Sequence, residues 1–144
     1  MSRIARVAAG LASLLFAGSG LAADPPAAAE SVGMHRPTEA ETGPPALRCG
    51  WWDNPTPGNV FFTDRDGEWT IAMQGLYEAD GDWPRFARGE TAPRNATHAH
   101  GCACAKMQGD ARNHLVSRFT EAHARPLEAC RGDPALKGKE PTPR

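Results

Sequence analysis

The chain has 144 residues, 40% hydrophobic and 23% charged, with a formal net charge of -1 at pH 7, which allows one small domain with appendages and excludes a large multidomain enzyme. Sixteen basic residues stand against seventeen acidic ones, so the cationic excess that phosphate binding requires is missing and nucleic acid is not an expected partner. Four cysteines, 15 glycines and 13 prolines point to a turn-rich unit that relies on cross-links as well as on a core.

Residues 1–23 open with Arg3 and Arg6 and no acid, continue through the apolar stretch 7–17, and end in Gly18, Ser19, Gly20, Leu21, Ala22 and Ala23. That order predicts a secretory signal peptide with small residues at the cleavage positions. The apolar run is about 11 residues, against the roughly 20 of a spanning helix, so no membrane insertion is expected. No cysteine follows the cleavage positions, so a lipid anchor is not indicated either. The expected localisation is periplasmic or secreted. Residues 24–46 are rich in Pro, Ala and Glu and poor in large apolar side chains, a composition that predicts a disordered linker. A folded unit over 47–136 and a flexible tail over 137–144 complete the expected organisation.

Within the unit, Asn54, Pro55, Thr56, Pro57, Gly58 and Asn59 form a turn cluster. Val60, Phe61, Phe62 and Thr63, then Trp69, Thr70, Ile71, Ala72 and Met73, are strand formers on either side of a turn at 64–67, which predicts a hairpin. A long loop over 78–95 holds Trp83 and Phe86. Residues 98–107 and 114–120 predict a second hairpin joined through 108–111, and Pro126 opens a short helical turn reaching Cys130. No segment keeps an apolar period of 3.6 over three turns. The predicted fold class is therefore mainly β, small and turn-rich, with two hairpins, four or five strands and one short helical turn, stapled by disulfides.

The run Arg48, Cys49, Gly50, Trp51, Trp52, Asp53, Asn54, Pro55, Thr56, Pro57, Gly58, Asn59, followed by the stretch from Thr63 to Trp69 and by Gly101, Cys102, Ala103, Cys104, resembles a bacterial family of small secreted proteins, domain of unknown function 4087. The resemblance reaches Pro126, Leu127, Cys130 and Arg131 and covers nearly the whole expected unit. It implies no activity, substrate or cofactor, because the family has none assigned, and no catalytic residue is carried over. The chain departs from the family pattern just before the Gly-Cys-x-Cys element, where Thr97, His98, Ala99 and His100 stand in place of an aromatic and glycine pattern.

In an exported chain Cys49, Cys102, Cys104 and Cys130 read as two disulfides. A bond between Cys102 and Cys104 would close a strained three-residue ring, so each should pair outward, one with Cys49 and one with Cys130; the spacing leaves both pairings open. His98, His100, Cys102 and Cys104 recur every second residue, so a strand would line them on one face, the pattern of a Cu or Zn site. Oxidation would remove the thiolates that such a site needs, leaving the histidines. The rings from Trp51 to Phe86 read as core, but adjacent Trp51 and Trp52 cannot both face inward from one strand, so one of them is expected as an exposed binding anchor. Asp64 and Asp66 suggest turn duty first, and the carboxylate pair of a small hydrolase second. The sequence thus favours a non-enzymatic interaction or envelope-associated module with a protein or glycan partner and no cofactor. The alternatives are a periplasmic Cu/Zn-binding protein and a small hydrolase using Asp64 and Asp66.

Overall fold

Polar side chains at three reversals, 56–59, 64–67 and 110–113, tie the turns between strands. The computed structural model describes residues 34–143; the expected signal peptide 1–23 and residues 24–33 of the expected linker lie outside them. The described residues hold seven strands: β1 (Ala46–Thr56), β2 (Asn59–Thr63), β3 (Glu68–Met73), β4 (Tyr77–Glu78), β5 (Thr91–Pro93), β6 (Ala99–Asp110) and β7 (Leu115–Arg125). A short helix α1 (Leu127–Arg131) and a 3-10 turn (Pro134–Leu136) follow. The mainly β reading holds, with more strands than expected.

Gly58 takes φ +70 between β1 and β2, a conformation that glycine enters without penalty, and Asn59 donates to the Thr56 hydroxyl to tie the turn. Between β2 and β3, Asp64 Oδ1 accepts from the amides of Asp66 and Gly67. Between β6 and β7, Asp110 Oδ1 accepts from the amide of Arg112 and Oδ2 from the side chain of Asn113, and these bonds hold the Asp110 carboxyl below the usual carboxylate range. This turn falls later than the expected 108–111, because Gln108, Gly109 and Asp110 still pair with Arg118, Val116 and Leu115 in the ladder.

β1 pairs antiparallel with β2 on one side and with β6 on the other, β2 pairs with β3, and β6 pairs with β7. A parallel rung between Thr70 and Leu115 joins β3 to β7 and closes a five-membered Greek-key circuit, β1-β2-β3-β7-β6-β1. Side chains pointing inward form the core, with Phe62, Ile71, Phe119 and Trp52 at its centre and Ala103 and Ala105 as the small residues that let the walls approach. Tyr77, brought in by β4, donates its hydroxyl to the Val116 carbonyl at 2.6 Å, and burial raises its pKa.

A second apolar layer lies on the outer face of β1 and β6, where Leu127, Cys130 and Leu136 cover Trp51 and Cys102. Bonds to the sheet reach beyond residues 47–136 at both ends. On the N-terminal side, in the segment read as linker, Arg36 donates to the carbonyls of Glu78 and Ser117 and pairs with Asp80 at 3.2 Å. On the C-terminal side, in the segment read as tail, Lys139 donates to the carbonyls of Asp64 and Arg65, and Glu140 binds Arg131 at 2.7 Å. Polar side chains bonded to backbone hold these segments, which composition alone does not register.

Candidate functional site

The cysteines pair as Cys49–Cys104 and Cys102–Cys130, which settles the choice that spacing left open. Cys49 and Cys104 face each other directly in the β1–β6 ladder, with Cα atoms 4.1 Å apart. The second bond, at a Cα separation of 5.7 Å, fastens α1 to β6. No cysteine is free.

The expected row of ligands is broken both chemically and geometrically. Cys102 and Cys104 are oxidised, and His98 sits before β6, with Nδ1 close to the Thr97 hydroxyl at 2.8 Å and to Asn95 Oδ1 at 3.1 Å. His100 is 3% exposed, lies edge-on to Trp51 and places Nε2 3.2 Å from Glu140 Oε1. Among the described residues no three His, Cys, Asp or Glu side chains converge as a metal site. Close to this layer Asp53 and Arg94, both buried, form an ion pair at 2.8 Å. Glu140 is held below its usual pKa first by the Arg131 hydrogen bonds and then, against the opposing effect of burial, by His100.

Neither Trp51 nor Trp52 is the exposed ring that alternation suggested; they are 1% and 4% exposed. They do face opposite sides of β1, Trp52 into the barrel and Trp51 outward, but the C-terminal segment covers the outer face as well. Asp64 and Asp66 are likewise committed to the fold. Asp64 is 2% exposed, and besides the turn amides it accepts from the indole of Trp69 and from Arg48, while Asp66 accepts from the same arginine at 2.8 Å. Arg48 in turn lies 4.3 Å from the centre of the Trp69 ring. A shallow depression of about 460 Å³ borders this network, yet both Asp64 oxygens already accept hydrogen bonds, so the pair expected for hydrolysis is an ion-paired turn.

The surface with features of a binding site lies elsewhere, along the second half of β7. The loop after β4 runs beside β7 through Asp80, whose amide donates to Ser117 and whose carbonyl accepts from Phe119. It leaves the strand at Gly81, φ +147, a position that admits only glycine because a Cβ there would strike the Phe119 carbonyl and ring. Trp83 then packs edge-on against Trp52 and Phe119 while remaining 38% exposed. Phe86 seats on Gly101, where any Cβ would collide with the ring. The divergence opens a groove of about 720 Å³ between Asp82, Trp83, Arg85 and Glu90 on one wall and Ala122, His123 and Ala124 on the other. Among the described residues, β7 beyond Phe119 pairs with β6 on one edge and with no strand on the other. The groove was not identified from sequence. Its one available signal was a tryptophan within a loop rich in Gly, Pro and Asp.

Comparison with known proteins matches a family model described as protein of unknown function (DUF4087) over residues 45–137. No curated protein and no solved structure matches the chain.

Proposed function

Because the chain belongs to the DUF4087 family, which assigns it no reaction, we propose its function from the surface it presents: a non-enzymatic interaction module of the cell envelope, periplasmic or secreted, that holds a partner in the Trp83 groove. The two disulfides point to an oxidising, extracytoplasmic environment, and among the described residues no helix is long and apolar enough to cross a membrane. The observation that carries the reading is the half-exposed Trp83 ring beside an unpaired strand edge. Indole supplies apolar contact and an N–H donor at interface centres, and β7 supplies backbone groups that need partners. The carboxylate and thiol chemistry that would favour an enzyme is committed to turns and cross-links.

The test uses the full chain, expressed in its own host with a photo-crosslinking residue in place of Trp83 or, as a remote control, of the exposed Leu76. A discrete adduct in the envelope fraction from position 83, absent from position 76 and lost when Ala124→Arg fills the groove of a normally melting protein, is the expected result. Absence of an adduct from position 83, or equal labelling from both positions, would overturn the proposal. Recovery of the chain in the cytosol with free thiols would overturn its envelope setting.

A further inference from the structure

We propose that Cys49–Cys104 is a thiol–disulfide exchange site that opens in the folded protein, whereas Cys102–Cys130 is a fixed fastener; this is independent of the Trp83 groove. Both cross-links lie on the outer face of β1 and β6, two residues apart along β6, but only one is covered. Cys102 and Cys130 are each 2% exposed, packed with Trp51, Leu127 and Leu136. The cover stops there. Cys49 is exposed and Cys104 half-buried, and Leu47, the next residue of β1 on that face, is 69% exposed. A thiolate from solvent therefore meets one bond and not the other, and accessible disulfides are the ones that exchange.

The direction of approach is open as well. Thiol exchange is an in-line displacement, in which the nucleophile reaches one sulfur from the side opposite the other. β1 lies between β2 and β6, so attack on Cys49 comes from the β2 side. That side carries the depression of about 460 Å³, walled by Leu47, Cys49, Arg65 and Asp133, among others, and by no described residue of β6. Attack on Cys104 would come instead from the β7 side, where His123 occupies the facing position of the ladder. The incoming thiolate bonds to Cys49 Sγ, the bond between the two Sγ atoms breaks, and its electron pair leaves on Cys104, which takes up a proton. A second thiolate, from the same dithiol or from another thiol molecule, then displaces the first from Cys49. Two thiols are thereby oxidised to a disulfide as the protein disulfide is reduced to two thiols. The rungs on either side, from Ala46–Met107 to Asp53–His100, hold β1 against β6 while the bond is open.

The test treats the oxidised full chain with dithiothreitol or, separately, with reduced glutathione at mildly alkaline pH, without denaturant and well below the melting transition. The reaction is stopped with acid, thiols are capped with N-ethylmaleimide, and the peptides are mapped by mass. Dithiothreitol should open Cys49 and Cys104 together, at a rate proportional to its concentration and with the near-UV circular dichroism retained. That rate should exceed the rate for Cys102 and Cys130 by about a hundredfold, because the covered bond exchanges only from a locally opened state. Glutathione should be trapped on Cys49, with Cys104 capped. Equal rates for the two bonds, or opening of Cys49–Cys104 only as the near-UV signal is lost, would overturn the proposal. Glutathione trapped chiefly on Cys104 would overturn the direction of attack.

Discussion

Replacing both Cys102 and Cys130 by alanine opens one cross-link without leaving a stray thiol and keeps Cys49–Cys104 intact. The bond closes a sequence separation of 28, for which the chain-entropy model gives about 3.6 kcal/mol of stabilisation. The helix it fastens has five residues, too few to persist in water by itself, so the cover over Trp51 then depends on Leu127 and Leu136. For a domain of this size a loss of that order lowers the melting temperature by roughly 15 to 25 °C. Thermal unfolding followed by near-UV circular dichroism measures the fall, and acrylamide quenching well below the transition reports whether Trp51 has become reachable. The matching Cys49→Ala/Cys104→Ala variant separates the two effects. Its separation of 55 corresponds to about 4.2 kcal/mol, but its cysteines sit inside a continuous ladder, so it should melt earlier without a change in native quenching. A Cys102→Ala/Cys130→Ala protein whose melting temperature falls by less than about 4 °C, with quenching unchanged, would refute the assignment of this bond as the fastener of the outer layer.

Gly50→Ala places a methyl group on the Thr63 carbonyl in the β1–β2 ladder and should cost about 3 kcal/mol in urea unfolding, whereas Gly75→Ala, with φ +72 and open space around it, should cost about 1 kcal/mol. Arg94→Gln removes a buried cation 2.8 Å from the Asp53 carboxylate and should lower stability by about 2 kcal/mol or more, read from the denaturation midpoint at constant slope. Glu140 has a folded pKa below its ordinary 4.5, so its contribution is complete above that value and is lost as pH falls through the lower folded value. Glu140→Gln should therefore reduce stability at pH 7 and bring it level with the parent at strongly acid pH; parallel stability curves at all pH would contradict this. Tyr77→Phe removes the bond to the Val116 carbonyl and should cost about 1 to 2 kcal/mol in the same urea assay.

The two expected hairpins were legible because β2, β3, β6 and β7 carry strand formers around polar turns, and their alternation survives wherever one face meets the core. β1 was not legible. It holds Gly50, Pro55 and two adjacent tryptophans, and burial on both faces erases the alternation by which a half-exposed strand is recognised. Pro55 is tolerated there because pairing with β6 ends at Asp53 and the β1–β2 register shifts between Asp53 and Thr56. The outer apolar layer was hidden for a related reason, since it joins residues 51 and 102 to residues 127–136, a contact that no local pattern encodes. Of the expected row, His98 falls before β6, and His100, Cys102 and Cys104 lie within it, where they supply a buried imidazole and two cross-links. Trp83 stood in plain view within the long loop, but which ring stays exposed is decided by Trp52 and Phe119 beneath it.

The strand that closes the barrel fixes the order in which this protein can become itself. β1 needs β6 as its second neighbour, and the bond across them joins positions 55 residues apart. A chain emerging N-terminus first from the ribosome therefore has no second neighbour for β1 until residues 99–110 have followed. Such long-range pairing is intrinsically slow. The same connectivity that makes the finished domain a closed wall leaves its first half without a closing neighbour until the second half has been made.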